Sequence, residues 1–546
     1  MSAFGSIRDS RGAAFAVGLT GAHLLLTLGG VLRHEMWRDE TQAWLLARDS
    51  ASVLELLANT EFEGHPVLWH LLLFALSRLG SDPLLMQLAH VGIAATGVYV
   101  LARHAPFGRL QKCLLAFGYF GAYEYAVVSR GYALGVLLVF VFCALHARRD
   151  DPAIEGDGST WRALLPFVVL AALANTSVHG LLLSAALSIS LLWPEDRGRA
   201  GRGRRPDGLG AAVLVTAWTL CFLQVGRIGG ASAGGASGSG AYVVGEPLGS
   251  DPGLVELAAH VSRGLSHVWR GYVPVPSFRS EHPWDSNLLF DLDTGLRVAG
   301  EDASRALVLL GSVALVALAC RLLASRPRWL SVYASGTAAL LGFELVFLVD
   351  SSVRHHGHLF VLLVACLWLA RAEAVREPVA RADAGAVADI DRRARRDVRR
   401  QGALLTALLV PQVVAGLTLH ALDWSRPFSG SRAAAELLRE RALDDLPIIA
   451  YRDRETSTLS AYLDRPLYYP GRDAHGSYWT TLQEDDWDEA RRRIARFVGD
   501  VDGPSVLALN RPLVEPIAGV AHEVLGVADG ALVRRENLYL YLVVAR

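Results

Sequence analysis

Between residues 12 and 420 the sequence is built around apolar runs long enough to cross a bilayer, and that feature limits the fold more than any other. Ala13 to Leu32, Ala306 to Leu323 and Trp329 to Val349 each approach the roughly 20 residues that an α-helix needs to cover a hydrocarbon core. A soluble chain of 546 residues would divide into several domains near neutral hydropathy. Here 52% of the residues are hydrophobic, and the mean hydropathy is +0.30. The hydropathy rule gives about eleven spans: 12–32, 84–102, 110–127, 131–147, 162–176, 178–194, 210–226, 306–323, 329–349, 357–371 and 402–420. The expected fold is therefore mainly α and polytopic, with about eleven spans plus interfacial helices.

Arginine sets the orientation. Basic residues mark the N-terminal tail and the 103–112, 148–162, 195–205, 324–328 and 372–400 connections. Two of these are dense, with Arg197, Arg199, Arg202, Arg204 and Arg205 in one and Arg392, Arg393, Arg395, Arg396, Arg399 and Arg400 in the other. With the N-terminus inside, every one of them lies in the cytoplasm, as the positive-inside rule demands. Residues 66–80 are apolar but short, and counting them as a span would reverse every later segment. They are placed as a membrane-seated helix within the first external loop. Arg8 and Arg11 precede an apolar run too long for a signal-peptide core, so the run reads as an uncleaved first helix. The external side then holds 33–83, the 227–305 loop, the turns at 128–130, 177 and 350–356, and everything after about 421.

Several function classes drop out early. The net charge of −1 offers no bulk electrostatic case for nucleic acid. Cys113, Cys143, Cys221, Cys320 and Cys366 all lie in apolar runs without a CxxC neighbour and read as small buried hydrophobes. The Gly/Ser stretch 228–240 lacks the strand, helix and lysine of a P-loop, so no nucleotide cofactor is expected. Residues 252–270 read as an amphipathic helix on the bilayer surface. From Leu446 onward the pattern changes: Leu446–Ala450, Ser505–Leu509 and Leu538–Val544 read as strands, Thr456–Leu463 and Asp485–Phe497 as helices. The division is thus a transmembrane domain over 1–420 and a small extracytoplasmic α/β domain over 421–546.

Three polar clusters fall on the external face. The first loop carries Trp37-Arg38-Asp39-Glu40 and, further on, Glu61-Phe62-Glu63-Gly64-His65-Pro66. A carboxylate at headgroup depth can serve as a general base on a hydroxyl. The structural alternative makes Asp39 a helix N-cap with Glu40 in its favourable first turn. Pro66 suits the first position of a helix and fixes His65 at its mouth. Tyr123-Glu124-Tyr125 and Ser129-Arg130-Gly131-Tyr132 form the second cluster, where Glu124 and Arg130 are either functional or paired with each other. Asp350-Ser351-Ser352-Val353-Arg354-His355-His356-Gly357-His358 is the third. Arg354 offers a planar fork for phosphate oxygens, and His355 can add a donor. The spacing of the three histidines matches no common zinc motif. A base beside a phosphate clamp at the edge of lipid is what transfer of a sugar from a lipid-linked phosphate requires.

With these motifs the membrane part, roughly 12–420, resembles bacterial membrane glycosyltransferases of the GT-C fold, relatives of the protein O-mannosyltransferases and the lipid A aminoarabinose transferase. The matching residues are the first-loop Asp39-Glu40, Glu63-Gly64-His65-Pro66, Tyr123-Glu124-Tyr125, Ser129-Arg130-Gly131-Tyr132-Ala133-Leu134 and Arg354-His355-His356-Gly357. Many relatives have a second proline where Val67 stands here. The resemblance implies a polyprenyl-phosphate sugar donor, an inverting transfer to an extracytoplasmic lipid, glycan or protein acceptor, and residence in a bacterial inner membrane. It makes Asp39 the base and gives Glu40 the task of positioning the acceptor or a divalent cation. His65, Glu124, Arg130, Arg354 and His355 become the substrate-binding candidates. Because all these charges precede residue 357, the 421–546 domain is expected to serve the acceptor rather than the chemistry. Two other readings compete: a transporter or flippase of lipid-linked saccharides, and a noncatalytic envelope-polymer assembly protein. The first predicts ionisable residues at span midpoints and internal repeats, whereas the charges here gather at external ends.

The orientation has a direct check. A cysteine introduced at Ser351 or near Tyr478 should react with an impermeant thiol reagent in intact cells, and one near Arg204 should not. Labelling near Arg204 would overturn the orientation.

Overall fold

The computed structural model describes residues 3–61, 63–148, 160–193, 204–231, 253–277, 283–288, 300–348, 351–376, 384–480 and 486–546. Among the described residues the α-helices before the sheet are, in order, α1 (Ala3–Val31), α2 (Arg38–Asp49), α3 (Val53–Asn59), α4 (Leu68–Ser77), α5 (Leu84–His104), α6 (Arg109–Ala116), α7 (Tyr132–His146), α8 (Thr160–Ala174) and α9 (Val178–Leu191). They continue as α10 (Arg204–Ala231), α11 (Leu254–Tyr272), α12 (Gly300–Leu323), α13 (Pro327–Phe347), α14 (Val353–Arg376) and α15 (Ala384–Ser425). Among the described residues, seven segments are long and apolar enough to cross a membrane: Arg11–Val31, Leu84–His104, Gly208–Val225, Ala306–Leu323, Pro327–Phe347, Val353–Ala374 and Gly402–Ser425. Shorter apolar helices cover Tyr132–His146, Trp161–Ala174 and Val178–Leu191. The chain is a polytopic integral membrane protein. Helix α4, with 10 residues, is about 15 Å long, half of a hydrocarbon core, and does not span.

The segment expected at 110–127 is not one continuous helix. Helix α6 stops at Ala116, and Tyr119–Glu124 forms a π-helical turn. Glycine makes the break possible, since a Cβ at Gly121 would collide with the carbonyl of Leu115. On the other side, Gly416 of α15 packs against the backbone of Gly118 and Tyr119. Such π turns re-aim side chains, and this one delivers Glu124 to the interior. The arginine-rich segment before 402 is also helical, continuous with the last span in α15. Of the Gly/Ser stretch, residues 232–240 lie outside the described residues, as do Arg197, Arg199, Arg202 and Asp350.

Helix α14 is the centre of the bundle. Of its apolar window, 83% is buried, against 22% to 44% for the other spans, because it is apolar on all sides over Leu359–Ala370. It packs on α7, α9, α11, α12 and α13. Helix α11 is amphipathic as expected, but its apolar face turns to α12, α13 and α14. Asp285 accepts a hydrogen bond from the Val353 amide at 2.8 Å and so caps the start of α14.

After α16 (Ser431–Glu440) a mixed six-stranded sheet forms from β1 (Ile448–Tyr451), β2 (Leu467–Tyr469), β3 (Ala474–Gly476), β4 (Ser505–Leu509), β5 (Val520–Ala528) and β6 (Leu538–Ala545). Its order is β3-β2-β1-β4-β6-β5, with β1 parallel to β2 and β4. Helices α17 (Asp453–Leu463) and α18 (Trp487–Asp500) complete it. Strand alternation splits the core: Ile448 and Ala450 face α16 and α17, while Ile449 and Tyr451 face α18. Burial on both faces explains the uninterrupted apolar β1. The three strands and two helices read from the sequence are present; β2, β3 and β5 were not anticipated, being short or interrupted by charge. Ser351 is 4% exposed, so Val514 in this domain, 87% exposed, is the better cysteine-labelling position.

Candidate active site

Helix α2 begins where the chain leaves α1, and its start is set by Glu40. The Glu40 carboxylate accepts the Trp37 amide at 3.2 Å and so satisfies an N-terminal backbone donor. Asp39 is therefore not the cap. It lies one residue earlier on the helix and projects elsewhere.

Asp39 meets two arginines that the sequence keeps far apart. Its Oδ2 accepts Arg130 Nη1 at 3.1 Å and Arg354 Nη2 at 3.3 Å. All three side chains are 12–13% exposed. The Arg354 guanidinium lies 5.5 Å from both the Trp37 and Trp284 rings, whose faces hold its cation. Tyr125 donates its hydroxyl to the Arg354 carbonyl oxygen. Burial alone would raise the Asp39 pKa, but Arg130, Arg354, Arg38 and Arg454 outweigh it and hold the carboxyl well below its usual range.

The other residues separate into two groups. Glu40 is fully buried, and both its oxygens are taken: Oε1 by the Ser129 amide at 2.6 Å, Oε2 by His34 at 3.0 Å and by Trp37. That geometry is a scaffold, tying the start of α2 to the turn at Ser129 and to His34. His34 reaches on to Asp423 Oδ2 at 2.8 Å, tying α2 to the end of α15. Burial would push the His34 pKa down, but Asp423 and Glu40 raise it to about 10. Glu124 does not pair with Arg130. Its Oε2 accepts the Tyr119 hydroxyl at 2.7 Å and Trp284 Nε1 at 2.9 Å, so it positions the tryptophan that covers Arg354. His65 sits beside Arg130, and burial and that charge lower its pKa to about 3, making it a neutral donor or acceptor. His355 stacks on His179 at 5.2 Å and meets the Tyr132 ring edge-on.

Two contributions escaped the sequence reading. Glu63 Oε1 accepts Gln42 Nε2 at 2.7 Å. Burial raises its pKa to about 7, with Asp39 adding to the rise and Gln42 and Arg130 opposing it. The Glu-Gly-His-Pro motif contained this residue, but nothing in the spacing marked it as buried. The second contribution is the sheet domain. Arg38 pairs with Glu536 at 3.5 Å and Glu455 at 4.0 Å, and Arg454 faces Trp479 at 5.6 Å. Thr41 meets Thr458 at 3.0 Å, and Gln42 donates to the Trp479 carbonyl at 2.9 Å. The charges around Asp39 thus do not all precede residue 357. Sequence distance hid this, because α17 docks on α2 from more than 400 residues away.

An apolar groove runs between α5, α7 and α14. Gly97, Leu101, Phe120, Val136, Phe140 and Phe360 are among its walls, and it reaches Tyr125, next to the Arg354 backbone.

The chain is similar over its whole length to two crystal structures of ArnT from Cupriavidus metallidurans. With the form bound to undecaprenyl phosphate the TM-score is 0.48 at 14% identity, covering 99% of this chain and 98% of that one. With the apo form it is 0.48 at 13%, covering 97% and 98%. No protein-family model and no curated protein matches the sequence.

The His34 bridge makes a prediction about stability. A histidine whose pKa is raised on folding stabilises fully below its unfolded value near 6.5, and that contribution is lost as pH rises through about 10. The melting temperature of the detergent-solubilised protein should fall steadily from pH 7 to pH 10. His34→Gln should melt lower at pH 7 and lose most of that slope. A wild-type melting temperature flat across the range would show that the bridge is not ionic.

Proposed function

We propose that the protein is a glycosyltransferase that moves a sugar from a polyprenyl-phosphate donor to a hydroxyl acceptor with inversion, on the extracytoplasmic side of a bacterial inner membrane. The observation that carries this reading is the Asp39 carboxylate held by Arg130 and Arg354, with an apolar groove nearby whose wall includes Tyr125, the residue that donates to the Arg354 carbonyl. The groove suits a polyprenyl chain, and the arginine pair suits the phosphate at its head. The sheet domain packs on α2 beside Asp39, through Arg38, Thr41 and Gln42, and is placed to present an acceptor.

The chemistry follows from the charges. A sugar joined to phosphate already has a competent leaving group, so no proton need be given to it. The acceptor oxygen attacks the anomeric carbon, the bond to the phosphate oxygen breaks, and the acceptor proton passes to a carboxylate. The polyprenyl phosphate leaves with its charge held by Arg130 and Arg354, a form of electrostatic assistance that stabilises charge as it develops. In the free enzyme the same arginines make Asp39 a weak base. When the donor phosphate shares them, the field on Asp39 falls and its basicity returns. The donor thereby switches on its own base, which limits proton abstraction to the loaded site.

Glu63 supports a second version of the proton step. Its pKa near 7 already suits a general base at neutral pH, and Gln42 fixes its orientation. The two versions are separated by assaying the protein in lipid nanodiscs with a synthetic polyprenyl-phosphoryl sugar. Asp39→Asn should still bind donor yet lose at least about a hundredfold in turnover, the scale of general-base assistance. Arg354→Ala should weaken donor binding as well as rate, since it removes a contact made before the transition state. If Asp39→Asn turns over normally while Glu63→Gln fails and wild type loses activity below pH 7, Glu63 is the base. A wild type with no donor turnover would favour a noncatalytic assembly role.

A further inference from the structure

Behind Arg354 lies a second buried polar cluster that the transfer reaction does not use. Glu344 stands near the end of α13, His267 on α11 and His356 in the first turn of α14. Glu344 Oε2 lies 2.8 Å from His267 Nδ1 and 3.7 Å from His356 Nε2. The side chains are 0% to 7% exposed. The two imidazole rings stack at 4.1 Å, and one donor atom from each of the three residues falls within 4.8 Å of the others. From the geometry we infer that His267, Glu344 and His356 bind a divalent transition-metal ion of the zinc class, which pins the external ends of α11, α13 and α14 together.

Three observations favour a cation over a simple hydrogen-bonded cluster. First, imidazole nitrogens converge on one buried carboxylate, with Glu344 Oε2 facing both His267 Nδ1 and His356 Nε2. Beside them Glu344 Oε1 and His179 Nε2 are buried without a hydrogen-bond partner among the described residues, 3.7 Å from one another. Unpartnered buried polar atoms are costly, whereas one bound ion draws carboxylate and imidazoles to a common centre. Second, the spacing fits. With bonds of about 2.0–2.1 Å, neighbouring donors around a tetrahedral zinc lie about 3.3 Å apart, and the observed 2.8 and 3.7 Å bracket that value. Third, the chain is shaped to bring the helices this close. A Cβ on Gly271, one turn beyond His267, would collide with the His356 carbonyl.

The donor set decides the ion. Two imidazoles and one carboxylate suit zinc and its first-row neighbours, while magnesium and calcium prefer all-oxygen shells. Ser351 Oγ, 2.7 Å from His356 Nε2, marks where a fourth ligand or its water would stand. The ligands come from three helices separated in sequence, which is why the local spacing of His355, His356 and His358 did not reveal them. His356 is two residues beyond Arg354, so the ion would hold the turn that presents that arginine. The inference stands whether or not the proposed reaction is correct.

The test uses the full chain, purified in detergent without chelator, with zinc alone as the probe and elemental analysis as the readout. About one zinc per chain is expected, falling several-fold in His267→Ala/His356→Ala and in Glu344→Gln. Should those variants fail to fold, cobalt(II) added to the chelator-stripped wild type gives an independent answer. It should produce the visible ligand-field bands of a four-coordinate nitrogen and oxygen site, without the intense near-ultraviolet band of a thiolate. The inference is overturned by wild type that takes up neither zinc nor cobalt, by folded variants that retain full zinc, or by a thiolate band that places the metal at a cysteine.

Discussion

The trio of Asp39, Arg130 and Arg354 is the interaction on which the rest of the structure turns. Its members come from α2, the turn before α7 and the first turn of α14, so three separate parts of the bundle must agree on one position. Ionised groups placed this close to lipid are expensive, and removing one partner from such a buried pair costs about 3–5 kcal/mol because the other charge is stranded. The surrounding structure offsets that cost. Tryptophans 37 and 284 cover Arg354, Glu124 orients Trp284, and Asp285 caps the helix that presents the arginine.

The adjacent pair Asp39-Glu40 shows how one helix start divides two tasks. Neighbours on a helix point about 100° apart, so only one can face the arginines. Glu40 turns inward to Trp37, Ser129 and His34, and through His34 to Asp423 at the end of α15. The same short helix is the seat for the sheet domain, by way of Arg38, Thr41 and Gln42. Helix α2 is thereby tied on one side to the bundle and on the other to the sheet.

Much of this was legible in the sequence, for a physical reason. Hydrophobic runs must match the bilayer thickness, so the spans could be counted without knowing their packing. Charges at the ends of those spans are costly enough to mark a site, and Asp39, Arg130 and Arg354 were marked that way. What could not be read was which partner each charge would choose. Glu124 was read as either a substrate-binding group or a partner of Arg130, and it bonds Tyr119 and Trp284. Glu40 was given a role toward acceptor or metal, and its place at the helix start, bonded to Trp37, Ser129 and His34, was not anticipated as a tie into the bundle. The broken helix at 117–118 was invisible because the run stays apolar through it, and only the glycines at 118, 121 and 416 permit it. Glu63 and Arg454 were missed because burial and docking, not residue type, bring them to Asp39.

The central claim is that the arginine pair is built for a phosphate at the head of a lipid chain. Comparing the binding of a short-chain polyprenyl phosphate with that of the matching polyprenol in nanodiscs tests it without assuming any particular sugar, acceptor or base. The account predicts that the phosphate binds at least about a hundredfold tighter, the scale of two charge-assisted contacts, and that Arg130→Ala/Arg354→Ala brings the two lipids to nearly equal affinity. Equal binding of both lipids by the wild-type protein would contradict it.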